Sequence, residues 1–191
     1  MDFVYINLLI QNKQKSKYFH EKNSGVLQGM VKKIGYVWAL LRISMGLIFL
    51  WAFLDKVFGL GFATARDKSW ISGASPTLGF LKLGTKGPFS SFYQSIAGNP
   101  IVDWIFMVGL LLIGITLIFG ISVKIAGYSG ALMLFLMWTA VLPPEHHPFL
   151  DEHIIYILIM IGLATTNSGE VFGIGKWWGN LGIIKKYRFL K

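Results

Sequence analysis

WIFMVGLLLIGITLIFGISV-K-IAGYSGALMLFLMWTAVL, residues 104–142, holds a single charged side chain, Lys124. A helix needs about 20 mostly apolar residues to cross the hydrocarbon core of a bilayer. Trp104–Val123 and Ile125–Leu142 meet or nearly meet that length. With only Lys124 between them they are expected to be antiparallel neighbours. Ala126/Gly130 and Gly127/Ala131 stand at a small-x-x-x-small spacing that lets helices approach closely.

Outward from this pair, Ile34–Leu54 is apolar except for Arg42. Ile154–Gly169 is the shortest apolar stretch and reaches spanning length only if it starts near Phe149, which draws Asp151, Glu152 and His153 into its first turn. The reading is an all-α integral membrane protein, a bundle of four transmembrane helices. Composition agrees: of 191 residues, 54% are hydrophobic and 14% charged, against about 25% charged in ordinary soluble domains. With no cysteine, disulfides, thiolate metal sites and covalent cysteine chemistry within the chain are excluded.

The net charge of +9 comes from basic residues that flank apolar segments. This indicates an anionic lipid surface, not nucleic acid. Lys13, Lys15, Lys17, Lys22, Lys32, Lys33, Lys124, Lys176, Lys185, Lys186, Arg188 and Lys191 gather on one side of the expected bundle; only Arg66, Lys68, Lys82 and Lys86 lie in connections on the other. The positive-inside rule then puts both termini in the cytoplasm and the chain, multi-pass, in the cell membrane. Trp38, Trp177 and Trp178 fall at the inner edge, Trp51 and Trp104 near the outer edge, and Trp138 deeper.

Three regions follow. Residues 1–33 form a polar, basic leader, in which Met30-Val31-Lys32-Lys33 resembles a natural start. Residues 34–169 form the membrane domain, and residues 170–191 a basic cytoplasmic tail. The outer connection from Gly61 to Pro100 is long, and loops beyond about 12–15 residues usually carry function or hidden structure. It interleaves apolar residues with glycines. Ser75-Pro76 reads as an N-cap followed by proline at the first helical position. Short helices are expected over Pro76–Leu83 and Phe89–Ala97, forming a cap over the outer mouth of the bundle.

Ionisable groups inside a membrane are functional candidates by default. Arg42 lies about 12 Å into the first helix, at 1.5 Å per residue. Its readings are snorkelling to the inner headgroups, an ion pair with Glu170, or an anion site. Asp55, Lys56, Asp103, Glu145, His146, His147, Asp151, Glu152 and His153 share an outer rim if the four helices form one bundle. Acids in a helix's first turn are also favoured by the dipole alone. The His and carboxylate spacing matches no metal motif, and no phosphate-loop or dinucleotide fingerprint occurs.

Leu41-Arg42-Ile43-Ser44-Met45-Gly46, followed by Phe53-Leu54-Asp55-Lys56-Val57-Phe58-Gly59, resembles the first helix of the DoxX family. Gly109–Gly120, Lys124, the run from Trp138 through Pro143-Pro144-Glu145 to Asp151-Glu152-His153, and Gly173-Ile174-Gly175-Lys176-Trp177-Trp178 continue the likeness, over about residues 34–178. The resemblance implies four spanning helices. DoxX/DoxD-like chains include membrane subunits of a thiosulfate:quinone oxidoreductase and membrane partners of oxidative-stress or sulfur-handling enzymes.

Three functions are therefore expected candidates. The first is a redox subunit passing electrons from a thiosulfate-like sulfur anion to quinone. Asp151, Glu152, His153, Asp103 and Arg42 would be its chemical groups. Arg66, Lys68, Lys82, Lys86 and Lys56 would attract the anion, and Trp51, Trp104 and Trp138 would line a quinone pocket. Such a subunit needs a partner redox subunit, or a second copy of itself, to carry electrons. The second is a non-catalytic membrane anchor or assembly partner of a redox or sulfur-handling enzyme. The third, a small-molecule transporter, lacks the internal repeat common in transporters.

Overall fold

The computed structural model describes the backbone of residues 2–190 and the side chains of 25 and 27–190 other than Arg188. The side chains of Lys13, Lys15, Lys17, Lys22 and Arg188, and Lys191 as a whole, lie outside the described residues. Every regular element among the described residues is helical. The longer elements are α1 (Asp2–Phe58), α2 (Ser90–Ser95), α3 (Pro100–Phe119), α4 (Val123–Ala140), α5 (Glu152–Thr165), α6 (Gly175–Asn180) and α7 (Gly182–Lys186). The chain divides into two compact units, Met1–Val37 and Trp38–Lys191. The first is helical, where the sequence suggests a polar leader without helical periodicity, and its apolar Leu27, Val31 and Ile34 are exposed.

Among the described residues, three helical segments are long and apolar enough to cross a membrane: Leu27–Phe58, Pro100–Phe119 and Val123–Ala140. The fourth expected span falls short. α5 has 14 residues, about 21 Å at 1.5 Å per residue, against a hydrocarbon core of about 30 Å. Its start is set by Asp151, whose side chain caps the amides of His153 and Ile154. Its end is set by Thr166, where the backbone turns extended (ψ 161°). α3 begins in a similar way, with Asn99 accepting from the Ile101 amide and Pro100 in the first turn. The α3–α4 turn is Gly120-Ile121-Ser122, with left-handed backbone at Gly120 (φ 73°) and Ser122 (φ 45°). Lys124 thus belongs to the first turn of α4, not to the connection.

The core of the second unit draws Met45 and Phe49 from α1, Met107, Ile113 and Leu117 from α3, Ala126 and Leu134 from α4, and Met160 and Leu163 from α5. Lipid tails are as apolar as leucine, so in a bilayer such helices associate through close packing. Two contacts show it. A Cβ on Gly114 would sit 2.8 Å from the Leu50 amide nitrogen, and one on Gly127 would sit 2.7 Å from the Met160 carbonyl oxygen. Large apolar side chains point outward on α3, α4 and α5, among them Ile105, Leu132 and Leu158, as lipid contact requires.

Residues 61–99 are folded into short turns. The Ser75-Pro76 turn leads to a π-type turn at Phe80–Gly84, and α2 falls inside the expected second helix. Leu81, Tyr93 and Ala140 form a small second core. The Tyr93 hydroxyl donates to the Leu136 carbonyl at 3.0 Å and lies 2.6 Å from the Thr139 hydroxyl.

Candidate functional site

Arg42 is fully buried, so it does not snorkel. Its guanidinium donates to the carbonyls of Leu117 and Ile118 (2.9 Å for Ile118), at the C-terminal end of α3, and to those of Val171 and Phe172 at 3.1 and 3.0 Å. A helix C-terminus carries partial negative charge and unsatisfied carbonyls, so a cation is favoured there. The fork spends its four terminal N–H bonds on α3 and on the segment after α5. This ties three parts of the chain together.

On the far side of the second unit, the acids do structural work. Asp55, at the end of α1, accepts from the amides of Phe62 and Ala63 at 3.2 and 3.0 Å. Asp103, in the first turn of α3, accepts at one oxygen from the Ser75 hydroxyl, the Thr77 amide and the Thr77 hydroxyl, at 2.9, 3.3 and 2.5 Å. Both are buried. Each carboxylate is thus held by the connection that begins or ends beside it. Lys56 is half-buried, its ammonium 6.0 Å from the centre of the Phe106 ring.

At the start of α5, Asp151 caps the helix and also holds His153: Asp151 Oδ2 and His153 Nδ1 are 2.8 Å apart, with the side chains 11% and 13% exposed. Glu152 beside them is exposed. His147 Nδ1 accepts from the amides of Phe149 and Leu150, and the Trp138 indole donates to the Phe149 carbonyl, so the proline-bounded loop is folded onto α4. No group of three His, Asp or Glu able to hold a metal ion occurs among the described residues.

The other expected constellations do not converge. Arg66 lines a cavity of about 550 Å³ with Phe58, Ser69 and Ser72, whereas Lys68, Lys82 and Lys86 are exposed and absent from its lining. Trp51 packs edge-on against Phe62, Trp104 against Trp70, and Trp138 against Phe135. Each expected quinone-pocket tryptophan therefore has a different aromatic neighbour.

A cleft of about 420 Å³ opens at the opposite end of the unit, between the start of α4 and the end of α5. Lys124 and Tyr128 line it from α4; Thr165, Thr166 and Glu170 line it from α5 and the following turn; Trp178 closes it from α6. Sequence reasoning passed over this cleft. Its one local trace is the polar run Thr165-Thr166-Asn167-Ser168 that closes an apolar stretch. No protein-family model, curated protein or solved structure matches the chain.

Proposed function

We propose that this chain is a DoxX-like, multi-pass protein of the cell membrane, with α1, α3, α4 and α5 crossing as a four-helix bundle, the short α5 lengthened across the bilayer by the exposed apolar Phe149 and Leu150 before it, and both termini cytoplasmic. Residues 61–99 form an outer cap, and the protein serves as the non-catalytic anchor or assembly partner of a redox or sulfur-handling enzyme. The observation that carries this reading is the use made of Asp55 and Asp103. Both buried carboxylates are engaged in bracing the connecting segment, which suits a preformed platform. That platform exposes Phe62, Ile71, Leu83 and Phe92 at 75, 67, 83 and 60%, and exposed apolar clusters commonly mark interaction surfaces.

A second reading, a redox subunit that passes electrons from thiosulfate to quinone, draws support from the Asp151–His153 pair. Two-electron quinone reduction consumes two protons, and a histidine–carboxylate pair is suited to relaying them.

One experiment separates the two. The purified chain is reconstituted in liposomes, and reduction of a short-chain quinone is followed on adding thiosulfate. The anchor reading expects no turnover from the folded chain alone. Turnover that Asp151→Asn abolishes would overturn it in favour of the redox subunit. Orientation is tested separately by single cysteines placed at Ser91 and Lys185, a clean labelling design in a cysteine-free chain. Membrane-impermeant maleimide should reach position 91 in intact cells and position 185 only after permeabilisation; the reverse pattern would overturn the topology.

A further inference from the structure

Residues 171–191 hold Lys176, Lys185, Lys186, Arg188 and Lys191 and no acid. The sequence reads them as a basic tail; the structure folds them against the bundle. The Ile174 amide donates to the Phe119 carbonyl at 2.9 Å, which fixes the start of α6 beside the end of α3. The Ser122 hydroxyl and the Trp178 indole both donate to the Leu190 carbonyl, at 3.0 and 2.9 Å. Ile184 of α7 is buried. The segment is therefore docked at the α3–α4 turn, with one set of faces committed inward and the other left outward.

The outward faces are not those of a tail in water. Phe172, Ile174, Trp177, Ile183, Tyr187 and Phe189 are each 44–62% exposed. Lys176, Lys185 and Lys186 are exposed among them. Ile183, Lys186 and Tyr187 stand three and four residues apart, hence on one helix face. The Lys186 ammonium lies 5.4 Å from the centre of the Tyr187 ring. Aromatic rings interleaved with lysines, whose stems lie along apolar surface, are the composition of the membrane headgroup level.

The surface beside it says what covers this face. The outward apolar side of α3 and α4 runs to Phe119 and Ile125 at the turn where the segment docks. Phe119 and Ile174, joined through their backbones, continue that surface onto α6. We infer that residues 171–190 form an in-plane foot resting on an anionic lipid leaflet. Its aromatic and aliphatic side chains enter the boundary between headgroups and acyl chains, and its lysines meet the lipid phosphates. The inference rests on α3 and α4 crossing the bilayer. Amphipathic helices in this position sink about 5–10 Å. The end of α5 lies next to Trp178 across the cleft, so the foot fills the level that the short α5 does not reach. A zwitterionic surface would give the five basic groups no net counter-charge, whereas an anionic one attracts each of them.

The chain has no cysteine, so Ile183→Cys and, in the middle of α4, Leu132→Cys each carry a single bimane label at an exposed position. The full chain is reconstituted in vesicles of equal parts phosphatidylglycerol and phosphatidylcholine, with the acyl chains of one lipid or the other brominated. Position 132 should be quenched by both lipids. Position 183 should be quenched as well, and about fivefold more by brominated phosphatidylglycerol, the factor by which one basic residue at an anionic surface favours it. Adding Lys185→Gln and Lys186→Gln should lower that ratio about twofold or more. Quenching at 132 but not at 183 would overturn the foot and leave its face to a protein partner. Equal quenching of 183 by the two lipids would overturn the anionic assignment. No quenching at either position would overturn the crossing of α4, and the foot with it.

Discussion

Replacing Arg42 with methionine keeps most of the side chain's length and removes the charge and all five donors. In the native structure four of those donors reach carbonyls on two segments, Leu117–Ile118 and Val171–Phe172, and the side chain is fully buried. After the substitution the Val171 and Phe172 carbonyls can rehydrate, because Phe172 lies at the surface. The Leu117 carbonyl, in a buried bond, cannot, and the part-buried Ile118 carbonyl recovers water only in part. One to two stranded acceptors at about 1–3 kcal/mol each, less the recovered cost of desolvating a cation, leave a loss of about 2 kcal/mol. Arg42→Lys should recover only part of it, since one ammonium cannot span both carbonyl pairs as the planar fork does. Reversible unfolding in mixed micelles, followed by tryptophan fluorescence, measures both. An Arg42→Met protein within about 0.5 kcal/mol of wild type, the range of ordinary surface substitutions, would refute the carbonyl cradle as a stabilising junction.

Gly114→Val should cost about 1–3 kcal/mol in the same assay, because its Cβ would press on the Leu50 backbone, whereas Gly79→Ala, with nothing within 4 Å, should be neutral; equal stability of both would mean that α1 and α3 do not pack this closely. Asp103→Asn should cost about 1–3 kcal/mol by weakening three bonds to Ser75 and Thr77, and limited proteolysis should then cut residues 61–99 faster than in wild type. An unchanged cleavage rate would remove Asp103 from its bracing role. Tyr93→Phe should cost about 1 kcal/mol through the lost bonds to Leu136 and Thr139, read as a lowered unfolding midpoint, with no change expected if α2 is not docked on α4.

The local features of this chain were legible in its residues. Apolar runs mark Pro100–Phe119 and Val123–Ala140 as membrane-length helices, because hydropathy over one helix is a property of contiguous sequence. Helix starts were less legible: α3 opens at Pro100, four residues before the expected Trp104, and Asp151, expected inside the first turn, is instead the cap of α5. Helix ends were less legible too. α5 stops at Thr165, four residues before the apolar pattern suggests, since a polar Thr-Thr-Asn-Ser run can continue a helix or end it depending on what packs there.

Tertiary structure alone decided the rest. Arg42 stands out in the sequence as an ionisable group in an apolar run, but its partners lie 75 to 130 residues away and are backbone carbonyls. No side-chain pattern marks a carbonyl as available. Asp55 and Asp103 read as rim chemistry until the connection between them is folded, at which point its amides and hydroxyls take up their oxygens. The tryptophans share a residue type but pack against separate neighbours. The cleft beside Lys124 exists only where the start of one helix meets the end of another. That is a property of how helices are arranged, which no single stretch of residues contains.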